Sequence, residues 1–214
     1  VTRIMRRFVE RDYGNAASPI HDYGTFARMA VDHARGQVAK LVNARRDSVI
    51  FTSGATEANN LALLGLREYG LKTGRCHLIC STIEHKAVLE PLEALVKTGF
   101  ELTLIPVGSN GRIIVAELRK ALRSDTLLVS TMQVNNETGI IQPLPEIAQI
   151  LKDHDAFWHV DAAQGFGKEF DSITMSRIDL ISISGHKIYG PKGIGALITR
   201  KRQGAALPLR PLMY

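Results

Sequence analysis

The sequence predicts an α/β fold, a mostly parallel sheet covered by helices on both faces. Strand-like and helix-like segments alternate for most of its length, and strands separated by helices of ten to fifteen residues argue for parallel pairing through crossovers. No internal repeat, low-complexity tract or linker interrupts the alternation. With 214 residues, 45% of them hydrophobic and 22% charged, the composition is that of an ordinary globular protein. One α/β domain over residues 1–214 is expected.

The opening VTRIMRRFVERDYG is rich in arginine. Transit peptides are poor in acids, and Glu10 and Asp12 lie among these arginines, so an amphipathic surface helix is the reading. SVIFTS (48–53) reads as a strand and TEANNLALLGLREYG (56–70) as the helix after it. CHLICS (76–81) is a strand, and HKAVLEPLEALVKTG (85–99) is mostly helix, with Pro91 expected to start or kink its main part. FELTLIPV (100–107) is a strand, VAELRKALRS (115–124) a helix and TLLVSTMQV (126–134) a strand. LPEIAQILKDH (144–154) is a helix, followed by the strands AFWHVDAA (156–163) and DLISISG (179–185). GIGALITRK (193–201) closes the series as a strand after a glycine-rich turn.

Bulk properties narrow the function classes. The formal net charge is +6, which invites a nucleic-acid reading. The basic residues are spread along the chain, however, and no aromatic-and-basic recognition module is present, so direct nucleic-acid binding is not expected. No apolar run approaches the roughly 20 residues needed to span a bilayer. With two cysteines and no secretory signal, a reducing, cytoplasmic location is the default.

Ligands of open α/β sheets bind beyond the carboxyl ends of the strands. After SVIF comes TSGATEANN, where the backbone of Ala55 and Thr56 opens a helix. A helix N-terminus suits a phosphate, although Ser53 or Thr56 acting as a simple cap explains the same residues. His85 falls at the next helix start, a position equally compatible with a surface histidine. Asn136 follows the strand 126–134, where turn chemistry alone favours asparagine. Asp161 closes an apolar strand and must there be paired, bound to something cationic, or near water. His186 and Lys187 follow DLISISG. A lysine delivered to a site by a buried strand tends to shift its pKa and turn nucleophilic, while a surface-turn lysine is the plain alternative. Taken together, a phosphate cradle, a gap of ring size, an acid and a lysine at successive strand ends match pyridoxal 5'-phosphate, which needs a phosphate site, an amine for its aldehyde and an acid for its pyridinium nitrogen.

The motifs TSGATEANNLAL, EHKAV, VNNETG, HVDAAQ and SGHKIYGPKGIGAL resemble, in this order, the class V aminotransferase-like cysteine desulfurases, pyridoxal-phosphate enzymes of the aspartate aminotransferase fold (fold type I). The resemblance runs from about Tyr13 to about Thr199. It implies that Lys187 bonds the cofactor aldehyde and that Asp161 faces the ring nitrogen. Gln164 and Asn136 then bond the phenolic oxygen, and His85 stacks on the ring and moves protons. Ala55, Thr56, Ser184 and His186 hold the phosphate. It further implies L-cysteine as substrate, L-alanine as product, transfer of sulfur to a protein thiol and on to an acceptor protein, and a homodimer. No metal is expected. By the same comparison the family's nucleophilic cysteine loop and small domain lie outside 1–214. The chain is therefore read as the large cofactor-binding domain, with its activity in isolation left open. A selenocysteine lyase or another class V enzyme is the first alternative, and a non-catalytic fragment or partner-binding module the second. Cys76 and Cys80, four apart, fall on one face of an apolar strand and read as inert hydrophobes.

Overall fold

The computed structural model describes residues 1–18 and 20–213. Its centre is a seven-stranded sheet of order β1-β7-β6-β5-β4-β2-β3. The strands are β1 (Val49–Thr52), β2 (His77–Ser81), β3 (Glu101–Ile105), β4 (Thr126–Met132), β5 (Phe157–Asp161), β6 (Leu180–Ser184) and β7 (Gly195–Thr199). Neighbours from β6 to β3 are parallel, and β7 is antiparallel to both β6 and β1. The mostly parallel sheet expected from the sequence is therefore present. Every residue of β2, β4, β5 and β6 is buried, as strands covered on both faces must be. The edge strand β3 exposes Glu101 and Leu104.

Two apolar layers flank the sheet. On one face Leu78, Leu128, Phe157, Leu180 and Leu197 pack with Ala58, Ala62 and Leu63 of α3 (Ala55–Leu64) and with Val88, Leu92 and Leu95 of α5 (Lys86–Val96). On the other, Ile79, Val129, Trp158, Val160 and Ile181 pack with three further helices. These are α2 (Asp22–Leu41), α6 (Val115–Ala121) and α7 (Leu144–Leu151).

Four details depart from the sequence reading or extend it. Thr2–Glu10 forms the expected surface helix, α1, with none of its residues buried. The 20-residue α2 was not anticipated. It buries only the small residues Gly24, Ala27 and Ala39, so it carries no strong apolar stripe. The single helix expected over 56–70 is two, α3 and α4 (Arg67–Thr73). At the break the Arg210 N–H donates to the Gly65 carbonyl at 2.9 Å, and a Cβ at Gly65 would stand 3.0 Å from the Arg210 oxygen. A distant segment thus inserts where no side chain stands. Finally, α5 begins at Lys86 and runs through a buried Pro91, so the proline does not start the helix.

Candidate active site

The carboxyl ends of β4, β5 and β6 lie side by side, and the turns after β1 and β2 fold over them. Together they enclose a cleft of about 270 Å³. Ala55, Thr56, His85, Asn136, Asp161, Gln164, Ser184, His186 and Lys187 all line it, so the sequence-selected residues meet in one place although they come from five separate strand ends.

The turn after β1 reaches the cleft through a close approach. A Cβ at Gly195 on β7 would lie 2.6 Å from Gly54 Cα, so glycine there lets the turn settle against the sheet. Helix α3 then starts at Ala55 with Gly54 as its N-cap and no side-chain cap. The capping role weighed for Ser53 and Thr56 is not filled. Instead Glu57 turns back to accept the Ser53 N–H at 2.8 Å and the Ser53 hydroxyl at 2.7 Å, bonds that hold its carboxyl below the usual range. The first-turn amides of α3 are left open toward the cleft, a set of donors suited to an anion.

At the end of β5, Asp161 is buried. Its Oδ1 accepts the Ala163 N–H at 2.9 Å and its Oδ2 accepts the Asn59 amide at 2.8 Å. Burial raises its proton affinity, opposed by these two bonds and by the charge of His85. Among the described residues no arginine or lysine is ion-paired with it. A buried carboxylate in that condition suits a cationic partner on the cleft side.

His85 caps α5, its Nδ1 accepting the Ala87 N–H at 3.0 Å. In the neutral ring that bond leaves the proton on Nε2. Ser184 closes β6, with its Oγ 2.9 Å from His186 Nδ1. Lys187 lies on a short 3₁₀ turn, Gly185–Ile188, just beyond that strand, and is solvent-exposed on the cleft wall. An open donor set for an anion, an exposed amine and a buried carboxylate without a cation together fit the three polar features of pyridoxal phosphate.

Residues not singled out from the sequence complete the site. Asn59, Ala87, Met132, Val134 and Ala163 also line the cleft. Below it Glu84 is buried, accepting the Ser81 hydroxyl and the Met132 N–H through Oε1. Its other oxygen, Oε2, has no protein partner. Burial pushes the Glu84 carboxyl up to about 8, with the charge of Asp161 adding to the shift. Deeper still, His159 sits two residues before Asp161 on the same face of β5. Its Nδ1 lies 2.8 Å from Ser130 Oγ and its Nε2 2.9 Å from Ser182 Oγ. Burial drives this imidazole down to about 3. Asn59 was signalled by its spacing, three residues after Thr56 and so on the same side of α3. Glu84 had no signal beyond its place before His85.

The two cysteines lie away from the cleft. Cys80 is buried against α3 and α5, and Cys76 packs partly against the same layer, so they do share one face. Cys76 immediately precedes β2, at the end of the sheet opposite the cleft.

Comparison with known proteins follows the same lines. The aminotransferase class-V family model matches residues 1–214, wider than the stretch that carries the motifs. The mitochondrial cysteine desulfurase of Saccharomyces cerevisiae is 47% identical over 98% of this chain and 41% of its own length. The cysteine desulfurase IscS of Dictyoglomus turgidum is 45% identical over 94% of the chain and 50% of its own length. The crystal structure of DndA from Streptomyces lividans superposes with a TM-score of 0.93 at 53% identity, covering all of this chain and 60% of that one. The chain thus spans about half the length of the curated relatives it matches.

Proposed function

Because this chain belongs to the aminotransferase class-V family, we propose that residues 1–214 form the cofactor-binding domain of a cysteine desulfurase, which takes sulfur from L-cysteine and leaves L-alanine. The observation that carries the reading is the convergence of Lys187, Asp161 and the uncapped start of α3 on one cleft. Pyridoxal phosphate, when bound, supplies an electron-accepting ring that weakens the bonds at an amino acid's α-carbon.

The remaining work belongs to the chain. The backbone at Ala55 and Thr56, with Ser184 and His186, holds the phosphate through hydrogen-bond donors and the positive end of α3. Asp161, ionised, keeps the proton on the ring nitrogen. Asn136 and Gln164 donate to the phenolic oxygen, and Lys187 Nζ holds the aldehyde carbon. His85, whose Nδ1 accepts the Ala87 N–H, presents Nε2–H as a donor and takes a proton only by releasing that bond from Nδ1. Neither Cys76 nor Cys80 faces the cleft, so in this reading the thiol that accepts the sulfur comes from another segment or chain, and an acceptor protein follows it. Exposed apolar residues on α1 and α2, among them Ile4, Val9, Tyr23 and Met29, support a homodimer.

The test is chemical. The purified chain is mixed with pyridoxal phosphate, reduced with borohydride and digested, and the modified lysine is mapped. Labelling confined to Lys187, and lost in Lys187→Ala, is the expected result. Labelling scattered over surface lysines, or retained in that variant, overturns the assignment.

A further inference from the structure

Helix α3 carries two polar residues into the cleft, three positions apart. Thr56 stands in the first turn, and Asn59, one turn on, is buried and donates its amide to Asp161 Oδ2 at 2.8 Å. The other Asp161 oxygen is taken by the Ala163 N–H at 2.9 Å, a bond within its own turn. Asn59 is therefore the side chain that ties the acid to a second element. Its own Oδ1 is buried with no partner, a costly arrangement for an amide. Nothing in α3 packing requires a polar group at that place, since its neighbours Ala58, Ala62 and Leu63 join an apolar layer.

We propose that Asn59 is the positioning residue of this site, holding Asp161 in orientation and keeping its carboxylate charged. A donor on a carboxylate oxygen favours the charged form, and burial opposes it. The other titratable groups near Asp161 are Glu84 and His85 on the turn after β2, His159 two residues earlier on β5, and His186 and Lys187 on the cleft wall. Burial favours the protonated acid, and the Ala163 and Asn59 donors the ionised one. After the Ala163 N–H, Asn59 is the second neutral donor that favours the ionised form, and it does so without adding charge. The same helix that opens toward the phosphate thereby also sets the acid at the far end of the ring, so one rigid element fixes the distance between the two. That last point rests on the cofactor reading above, whereas the effect on Asp161 does not.

The experiment begins on the ligand-free chain. Aspartate is labelled with ¹³C at the carboxyl, the Asp161 resonance is assigned by its loss in Asp161→Asn, and its titration is followed in the parent chain, Asn59→Leu and Asn59→Asp. Removing the donor in Asn59→Leu is expected to raise the Asp161 midpoint by about one pH unit or more. In the isosteric Asn59→Asp, two adjacent carboxyls are expected to titrate as a coupled pair, one of them shifted further up. Pyridoxal phosphate affinity, read by absorbance at neutral pH, should fall about tenfold in Asn59→Leu. An unchanged Asp161 midpoint in Asn59→Leu overturns the proposal, and Asn59→Ala, which also removes the donor, decides it should Asn59→Leu not fold. Failure of the parent chain to take up pyridoxal phosphate would count against the proposed function and leave the ligand-free titration to judge Asn59.

Discussion

Glu84 accepts the backbone N–H of Met132 at 2.9 Å, which ties the turn carrying His85 to the end of the central strand β4. The acid is buried and raised to about 8 from an ordinary 4.5, so it holds a proton at neutral pH. A carboxyl whose folded pKa is raised gives stability that is complete below the ordinary value and is lost as pH climbs toward the folded one. Glu84→Gln keeps an acceptor for Met132 and has no proton to lose. Thermal denaturation between pH 5 and 8.5 should show a flatter pH dependence in this variant, with Tm about 2–4 °C higher at pH 8. Parallel curves for the two proteins would rule out a buried neutral Glu84.

His159 has the opposite sign. Its folded pKa is depressed to about 3 from 6.5, so its contribution is complete above 6.5 and is lost as pH falls from there toward 3. Substituting His159→Leu retains bulk but leaves the Ser130 and Ser182 hydroxyls without the ring between them. The expected cost is about 2–3 kcal/mol, or roughly 5–10 °C in Tm, measured at pH 7.5. The variant should also lose less stability than the parent on acidification from pH 6.5 to 5.

Asp161→Asn separates stability from cofactor uptake. It replaces a buried carboxyl that is ion-paired with no arginine or lysine among the described residues. The Asn59 amide can turn so that its unpartnered Oδ1 accepts from the new side chain. Tm at pH 7.5 should stay level or rise by a few degrees, while pyridoxal phosphate affinity falls at least about tenfold. A variant that melts well below the parent would show that the carboxylate is a structural requirement of the sheet.

Thiol reactivity follows burial. Cys80 is fully buried, and burial pushes its thiol up, away from the reactive thiolate. Native protein should react with a disulfide reagent at Cys76 alone and slowly, and denatured protein at both. Rapid native labelling of Cys80 would mean that α3 or α5 opens readily from the sheet.

The sheet was legible because its buried strands are short apolar runs with polar residues at their carboxyl ends. The same punctuation exposed Asp161, Ser184 and Lys187. What escaped had physical causes. Helix α2 packs through small residues, so its periodicity is faint. The break at Gly65 is where Arg210, far away in sequence, bonds the backbone. Asn59 shares Thr56's side of α3, but its bond to Asp161, like that of Glu84 to Met132, joins elements far apart in sequence, and such a partner cannot be read from local spacing. His159 is invisible for a similar reason, since its two serines lie on β4 and β6 and become neighbours only once the sheet forms.

The place of β7 has a consequence for the order of assembly. In the sheet β1 pairs with β7 alone, and Gly195 at the start of β7 is where Gly54 comes to rest. During synthesis β1 emerges early, yet its partner begins only at residue 195. The parallel strands β2 to β6 can pair among themselves first, whereas the turn that opens α3 waits for the last strand. Closing so long a loop is a slow, late event. A nascent chain therefore carries Asp161 and Lys187 before the turn that opens α3 has settled, and the cleft is complete only once translation has passed through β7.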